Sequence, residues 1–303
     1  MTAGERGPIK EGGTTPGSRG PSSGLLHPTS RLDPNLLLVL PAALLMAACF
    51  AWPVGRLLLQ SVTQPHLGLG NYEALFTHPV FGLVLWNTVG ISATVDLLCL
   101  LIAYPVAYTM ATTSPRIRRL LVFVVLIPFW SSVLVRSFAW MVLLQRHGLI
   151  NDMLVGIGLL QRPVQMIYNR TGVLVGMVQV LLPFMIFPLY ATMSRIDPGH
   201  MQAAATLGAP PVRSFIRVYA PQTLPGVITG ASLVFVIALG YYIIPALLGG
   251  PGETMVAQVI EAQVADYGNW GLAGMLSAVL LAGTALTLGL VLQAYRARSR
   301  WRQ

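Results

Sequence analysis

The chain has 303 residues, of which 54% are hydrophobic and only 10% charged, and its mean hydropathy is +0.67. Globular chains carry roughly 25% charged residues, so this one has too little charge to cover a water-facing surface, and the bilayer must be its main solvent. The formal net charge of +9 does not point to nucleic acid, because the basic residues sit in short runs between long apolar segments rather than on one element.

In chain order, residues 1–33 are rich in Gly, Pro, Ser and Thr and read as a disordered cytoplasmic lead. No short apolar core with a small-residue cleavage site follows a basic start, so this lead is not read as a cleavable signal. Six apolar segments follow, at 36–61, 83–111, 120–144, 172–193, 226–248 and 271–295. Each supplies the roughly 20 apolar residues with which a helix crosses a hydrocarbon core of about 30 Å. Barrel strands would be about ten residues long and alternating, so the expected class is an all-α membrane protein. Pro41, Pro53, Pro105, Pro128, Pro183, Pro188 and Pro245 fall inside these segments and predict kinks.

With both termini placed in the cytoplasm, the inner segments 1–33, 112–119, 194–225 and the tail carry 14 Lys and Arg. The outer loops then hold 3, Arg146, Arg162 and Arg170. This asymmetry fits the positive-inside rule and an even number of spans. The expected organisation is the lead at 1–33, a membrane domain at 34–296 and a basic cytoplasmic tail at 297–303. Cys49 and Cys99 both fall inside apolar segments and form neither a disulfide framework nor a metal-ligand spacing. The histidines show no ligand spacing either, and no metal site is expected.

The inner loop at 194–225 is much longer than the turn at 112–119, yet its composition is not that of a disordered segment. It contains a short helix-like stretch with small residues (Ala203, Ala204, Ala205) and a stop at Gly208, where a helix can end in a left-handed conformation. Pro210 and Pro211 prevent that helix from continuing. A second amphipathic stretch with Arg213, Phe215, Ile216 and Arg217 follows. On physical grounds the loop is either a docking surface for a cytoplasmic protein or a surface connection between two spans.

The loop resembles the EAA loop of permeases from binding-protein-dependent ABC importers. That pattern reads Glu-Ala-Ala, three residues, Gly, nine residues, then Ile-x-Leu-Pro. Gln202, Ala203 and Ala204 fill the first three places, and Gly208 follows after three. Val218, Tyr219, Ala220 and Pro221 follow after nine more. The departures are Gln202 for Glu, Val218 for Ile and Ala220 for Leu, and the first removes a charge. Residues 127–151, 177–198 and 86–90 are similar to the spermidine/putrescine permease subfamily, which also takes opines, aminophosphonates and other small amines.

The resemblance implies a type I ABC importer permease fold with six transmembrane helices in a bacterial inner membrane. It implies ATPase coupling through Gln202, Ala203, Ala204, Gly208 and Pro221. It also implies the partners: a second permease, two cytoplasmic ATPase subunits and an extracytoplasmic solute-binding protein. The chain itself has no Gly-rich phosphate-binding loop of the Walker type. No cofactor and no catalytic residue is expected of it, and ATP would be bound by the partner subunit.

Asp96 lies mid-span, where an ionisable residue must face the bundle interior or a water-filled path. It either helps a cationic amine through or is a structural acid bonded to a neighbouring helix. Arg136, in the third span, would repel a polyamine and is read as structural, paired with Asp96 or with a carboxylate of the partner subunit. Trp130 and Trp140 offer faces for cation–π contact or act as interfacial anchors. Glu253, Glu261 and Asp266 lie in the last outer loop, where they would favour a cation or meet the binding protein. Gly226 and Gly230 form a small-xxx-small pair suited to close helix packing. A secondary transporter or channel would instead place several ionisable groups at the midplane, and an intramembrane enzyme would need a nucleophile and base there.

Overall fold

The computed structural model describes residues 34–300. They divide into two units after Cys49, and every regular element among the described residues is helical. The lead expected at 1–33 lies outside the described residues, as does the end of the tail expected at 297–303.

The first helix, α1 (Pro34–Met46), contains Pro41. A π turn at Ala47–Ala51 and α2 (Trp52–Thr63) follow. The short α3 (Gly70–Thr77) precedes α4 (Pro79–Thr112), a 34-residue helix with proline in its first turn, where the missing N–H costs nothing. The same start opens α5 (Pro115–Leu126). A 3-10 turn at Ile127–Trp130 leads to α6 (Val133–Leu144) and α7 (Leu149–Gly156). The next helix, α8 (Arg170–Met193), is capped by Asn169, whose side chain accepts from the Gly172 N–H. On the loop side lie α9 (Gly199–Thr206), α10 (Pro211–Ser214), a π turn at Phe215–Tyr219 and α11 (Ala220–Leu239). The chain closes with α12 (Ile243–Leu248), a 3-10 turn at Pro251–Glu253, α13 (Val256–Ala265) and α14 (Trp270–Arg300).

Among the described residues, five helical runs are long and apolar enough to cross a membrane, or six if the bent pair Pro115–Trp130 and Val133–Gly156 counts as one span. The most enclosed is α8, with 61% of its apolar window buried, against 28% for α4 and 33% for the run Pro211–Leu239. Its position follows from its residues. Val173, Met177, Leu181, Met185, Leu189 and Met193 recur every fourth position and are all buried, which puts them on one stripe. The facing stripe of α4 is Val95, Cys99, Ala103 and Ala107, also buried. The small side chains of that α4 stripe allow close approach, and Cys99 Sγ lies 3.8 Å from the Val178 carbonyl of α8. Lipid tails are as apolar as these residues, so helix association here rests on close packing rather than on escape from water.

On the other side of α8, α11 approaches through its glycines. A Cβ on Gly226 would stand 2.8 Å from Thr192 Cβ and 3.0 Å from the Pro188 carbonyl, and one on Gly230 would stand 2.8 Å from Met185 Sδ. The small-xxx-small pair thus does what its spacing suggests. The contact between α14 and α2 uses the same device, because a Cβ on Gly274 would meet the Leu57 carbonyl and the Ser61 N–H.

Two spans differ from expectation. The segment 120–144 is not one straight span; it breaks at Ser131–Ser132 with a bend of 98° between the two halves. Pro128 removes a backbone donor, and Ser131 is extended, with φ −95° and ψ 143°. The Ser131 hydroxyl donates back to the Pro128 carbonyl at 2.9 Å, partly satisfying the opened turn. The segment 226–248 also shifts. The helical run begins at Pro211 and ends at Leu239, so much of the expected loop is helix. Pro221 does not end it, because it falls in the first turn of α11 directly after the π turn, whose wider ring relieves the clash of a proline ring with the preceding carbonyls.

Candidate functional site

The loop helix α9 ends as its glycine suggests. Gly208 has φ +79°, a region open to glycine at little cost. Its N–H donates to the Ala205 carbonyl at 3.0 Å, and the Ala209 N–H donates to the Ala204 carbonyl at 3.1 Å. This pair of bonds is a Schellman stop. Gln202, Ala203, Gly208 and Pro221 are exposed and Ala204 is partly covered. No residue of α9 is buried, so its outer face is free. Leu207 is 89% exposed, Val212 70% and Ile216 60%. Apolar side chains this bare, beside the small-residue helix, form a surface that another protein can cover.

The inner face of the loop is tied to the bundle by contacts the sequence did not reveal. Phe215 stacks on Tyr219 at 5.5 Å and meets Tyr108 and Tyr104 edge-on at 5.7 and 6.3 Å. Tyr108 and Tyr219 are 5.3 Å apart. Tyr104 also shares a hydrogen bond with Thr223 at 3.1 Å. These four rings join the π turn to α4. Beside them, His200 Nδ1 donates to Gln222 Oε1 at 3.0 Å, linking α9 to α11. Residues more than 100 apart in sequence supply the cluster, and no local pattern in the chain marks it.

A second feature lies at the break of the bent pair. A cavity of about 320 Å³ is lined by Phe129, Ser131, Val133 and Arg136 from the break and α6, by Val180, Leu181 and Phe184 from α8, and by Ile237 and Tyr241. None of the path candidates Asp96, Trp130 and Trp140 lines it. Trp130 is 76% exposed, and Trp140 packs against the main core. Asp96 sits on α4 with its Oδ1 buried and without a hydrogen-bond partner. Arg136 Nε is likewise buried and unpartnered. These two atoms therefore do not satisfy each other.

Away from the loop helix, the buried Asn151 amide donates to the Gln145 and Val164 carbonyls at 2.9 Å each and accepts from the Val164 N–H at 3.0 Å. Arg170 Nη2 donates to the Gly90 carbonyl at 3.4 Å and to Thr94 Oγ1 at 3.2 Å. The Val256 N–H donates to Thr88 Oγ1 at 2.9 Å, fixing the start of α13. Glu261 and Asp266, expected in an outer loop, are exposed on and just after this short helix.

Residues 100–302 match the family described as binding-protein-dependent transport system inner membrane component. The chain belongs to that family. The permease is 38% identical to the spermidine/putrescine transport system permease protein PotB of Haemophilus influenzae, over 75% of this chain and 78% of the relative. To PotB of Escherichia coli it is 32% identical over 77% of this chain and 82% of the relative. A crystal structure of a bacterial ABC transporter importing the acidic polysaccharide alginate contains a chain of the same fold. Its TM-score is 0.67 at 21% identity, covering 87% of the permease and 94% of that chain. The permease is thus a transport subunit of an ABC importer of the bacterial inner membrane, not itself an enzyme.

Proposed function

We propose that the permease forms, with a second permease, the path of an importer for a polyamine such as spermidine or putrescine. The observation that carries this reading is the 38% identity to PotB over three quarters of the chain. The basic residues on the inner segments and the bent pair counted as one span support six spans with both termini cytoplasmic. A soluble binding protein delivers solute at the outer face, as the alginate transporter crystallised with its periplasmic protein suggests by fold.

Inside, two ATPase subunits bind and hydrolyse ATP. One receives α9 through Gln202, Ala203, Ala204 and Leu207, and Gly208 gives the turn that presents them. ATP-driven closure moves α9; the ring cluster passes that motion to α4, and the His200–Gln222 bond with Pro221 passes it to α11. Because α4 and α11 both pack on α8, the bundle shifts between inward and outward states, and solute affinity differs between them. Asp96 supplies negative charge at membrane depth for the cation, with Trp130 and Trp140 offering ring faces.

Uptake of labelled putrescine and spermidine in cells with and without the gene tests this. Loss of saturable uptake on deletion, restored by the gene, is the expected result. Unchanged polyamine uptake would contradict the substrate, and competition by 2-aminoethylphosphonate or opines would then identify the class transported.

A further inference from the structure

The cavity at the break of the bent pair is formed by this chain alone. The break and α6 supply Phe129, Ser131 and Arg136, α8 supplies Phe184, and Ile237 and Tyr241 come from the end of α11 and just after it. Its volume of about 320 Å³ is in the range of small-ligand sites. Its chemistry is one-sided. A guanidinium stays charged at any physiological pH and offers donors only, and Arg136 Nε is buried without a partner. The Ser131 hydroxyl already donates to the Pro128 carbonyl, whereas Tyr241 adds a phenolic O–H. No carboxylate lines the cavity, so it offers an ammonium group no opposite charge, and a polyamine is not its occupant. The rings of Phe129 and Phe184, 5.4 Å apart, make much of its wall apolar.

The depth of the cavity follows from helix lengths. Arg116, Arg118 and Arg119 mark one edge of the membrane at the start of α5. From there the 12 residues of α5 and the 4 of the 3-10 turn rise about 26 Å, most of a hydrocarbon core of about 30 Å. The break therefore falls close to the opposite edge, and the 98° bend turns α6 along it. Arg136 stands one turn past the break, its N–H donating to the Ser132 carbonyl at 3.1 Å. Water can fill such a cavity without neutralising the charge, which at this depth calls for an anion.

We propose that this cavity binds an oxyanion joined to an apolar body. Arg136 Nε and one Nη take two oxygens side by side, Tyr241 donates a further hydrogen bond, and the apolar part lies against Phe129, Phe184 and Ile237. Two sources present this chemistry: the phosphodiester of a phospholipid, which lies at the membrane edge, and the carboxylate or phosphonate of a soluble organic acid. The proposal does not depend on the polyamine reading, because it concerns a ligand whose place a polyamine cannot take.

The test uses the full importer, purified in detergent and freed of bound lipid, with two probes titrated separately. Dioctanoylphosphatidylglycerol stands for the lipid, with phosphate-free dioctanoylglycerol as its control, and phenylphosphonate stands for the soluble acid. At least one probe should bind the wild type saturably, and the control should not. Arg136→Met should weaken that binding at least about tenfold, and Tyr241→Phe, which keeps the ring, about threefold or more. Arg162→Met, an exposed arginine outside the cavity, should leave it unchanged. Arginine-dependent binding of the lipid assigns the site to a headgroup, and arginine-dependent binding of phenylphosphonate assigns it to a soluble acid; either supports the oxyanion site. A wild type that binds neither probe overturns the proposal, because water or an acid of a neighbouring subunit then answers Arg136. Equal binding by wild type and Arg136→Met overturns it too. If Arg136→Met does not accumulate, Arg136→Lys, which keeps the charge but loses the fork, and Tyr241→Phe decide, and unchanged affinity in both overturns the proposal.

Discussion

Gly208 and Gly226 are both glycines for backbone reasons, yet they predict different consequences. Nothing lies within 4 Å of a Cβ built on Gly208, and its φ is +79°, so Gly208→Ala costs only the left-handed strain, about 1 kcal/mol. A Cβ on Gly226 collides with Thr192 and the Pro188 carbonyl. Gly226→Val should therefore destabilise by about 1–3 kcal/mol through overpacking. Thermal unfolding in detergent checks the pair: a clear drop in Tm for Gly226→Val and a small one for Gly208→Ala, with the reverse order contradicting the packing. Asn151 is the third such residue. All its amide groups are used to hold Val164 and Gln145, so Asn151→Ala removes three part-buried hydrogen bonds at a cost of about 1–3 kcal/mol. The same assay should show it, and proteolysis near residue 164 should rise; no change in either would mean the loop around Val164 is held by other contacts.

At the scale of elements, apolar runs located the membrane helices but not their breaks. A run such as 120–144 has the composition of a span throughout, and only Pro128 and the Ser131–Ser132 pair mark where it bends. The fifth helix begins some fifteen residues before its apolar run, because Arg213 and Arg217 sit on a helical turn whose other face, Phe215 and Tyr219, is anchored by rings of α4. The stop at Gly208 and the glycine pair on α11 were legible because each depends on local backbone chemistry. The ring cluster was not, because it joins α4 to a segment more than 100 residues later. For α9 itself, exposure separates stability from function. Leu207 is 89% exposed, so Leu207→Asp should leave stability within about 0.5 kcal/mol of wild type. It should nonetheless lower solute-stimulated ATP hydrolysis several-fold, and unchanged hydrolysis would remove Leu207 from the docking surface.

For the whole molecule, an enclosed α8 flanked by α4 and α11 gives a rigid centre, while much apolar surface stays open on the outer helices. Such a chain suits an assembly in which lipid, a second permease and cytoplasmic subunits each cover a different face. The central claim is that a cytoplasmic ATPase drives this bundle through α9. Solute-stimulated ATP hydrolysis by the assembled importer in proteoliposomes, wild type against Gly208→Arg, tests it most directly. Exposed Gly208 sits where a long charged side chain blocks docking without disturbing the core, so the variant should insert and show no stimulation above the basal rate. Stimulation at the wild-type level in Gly208→Arg would contradict the coupling role of α9.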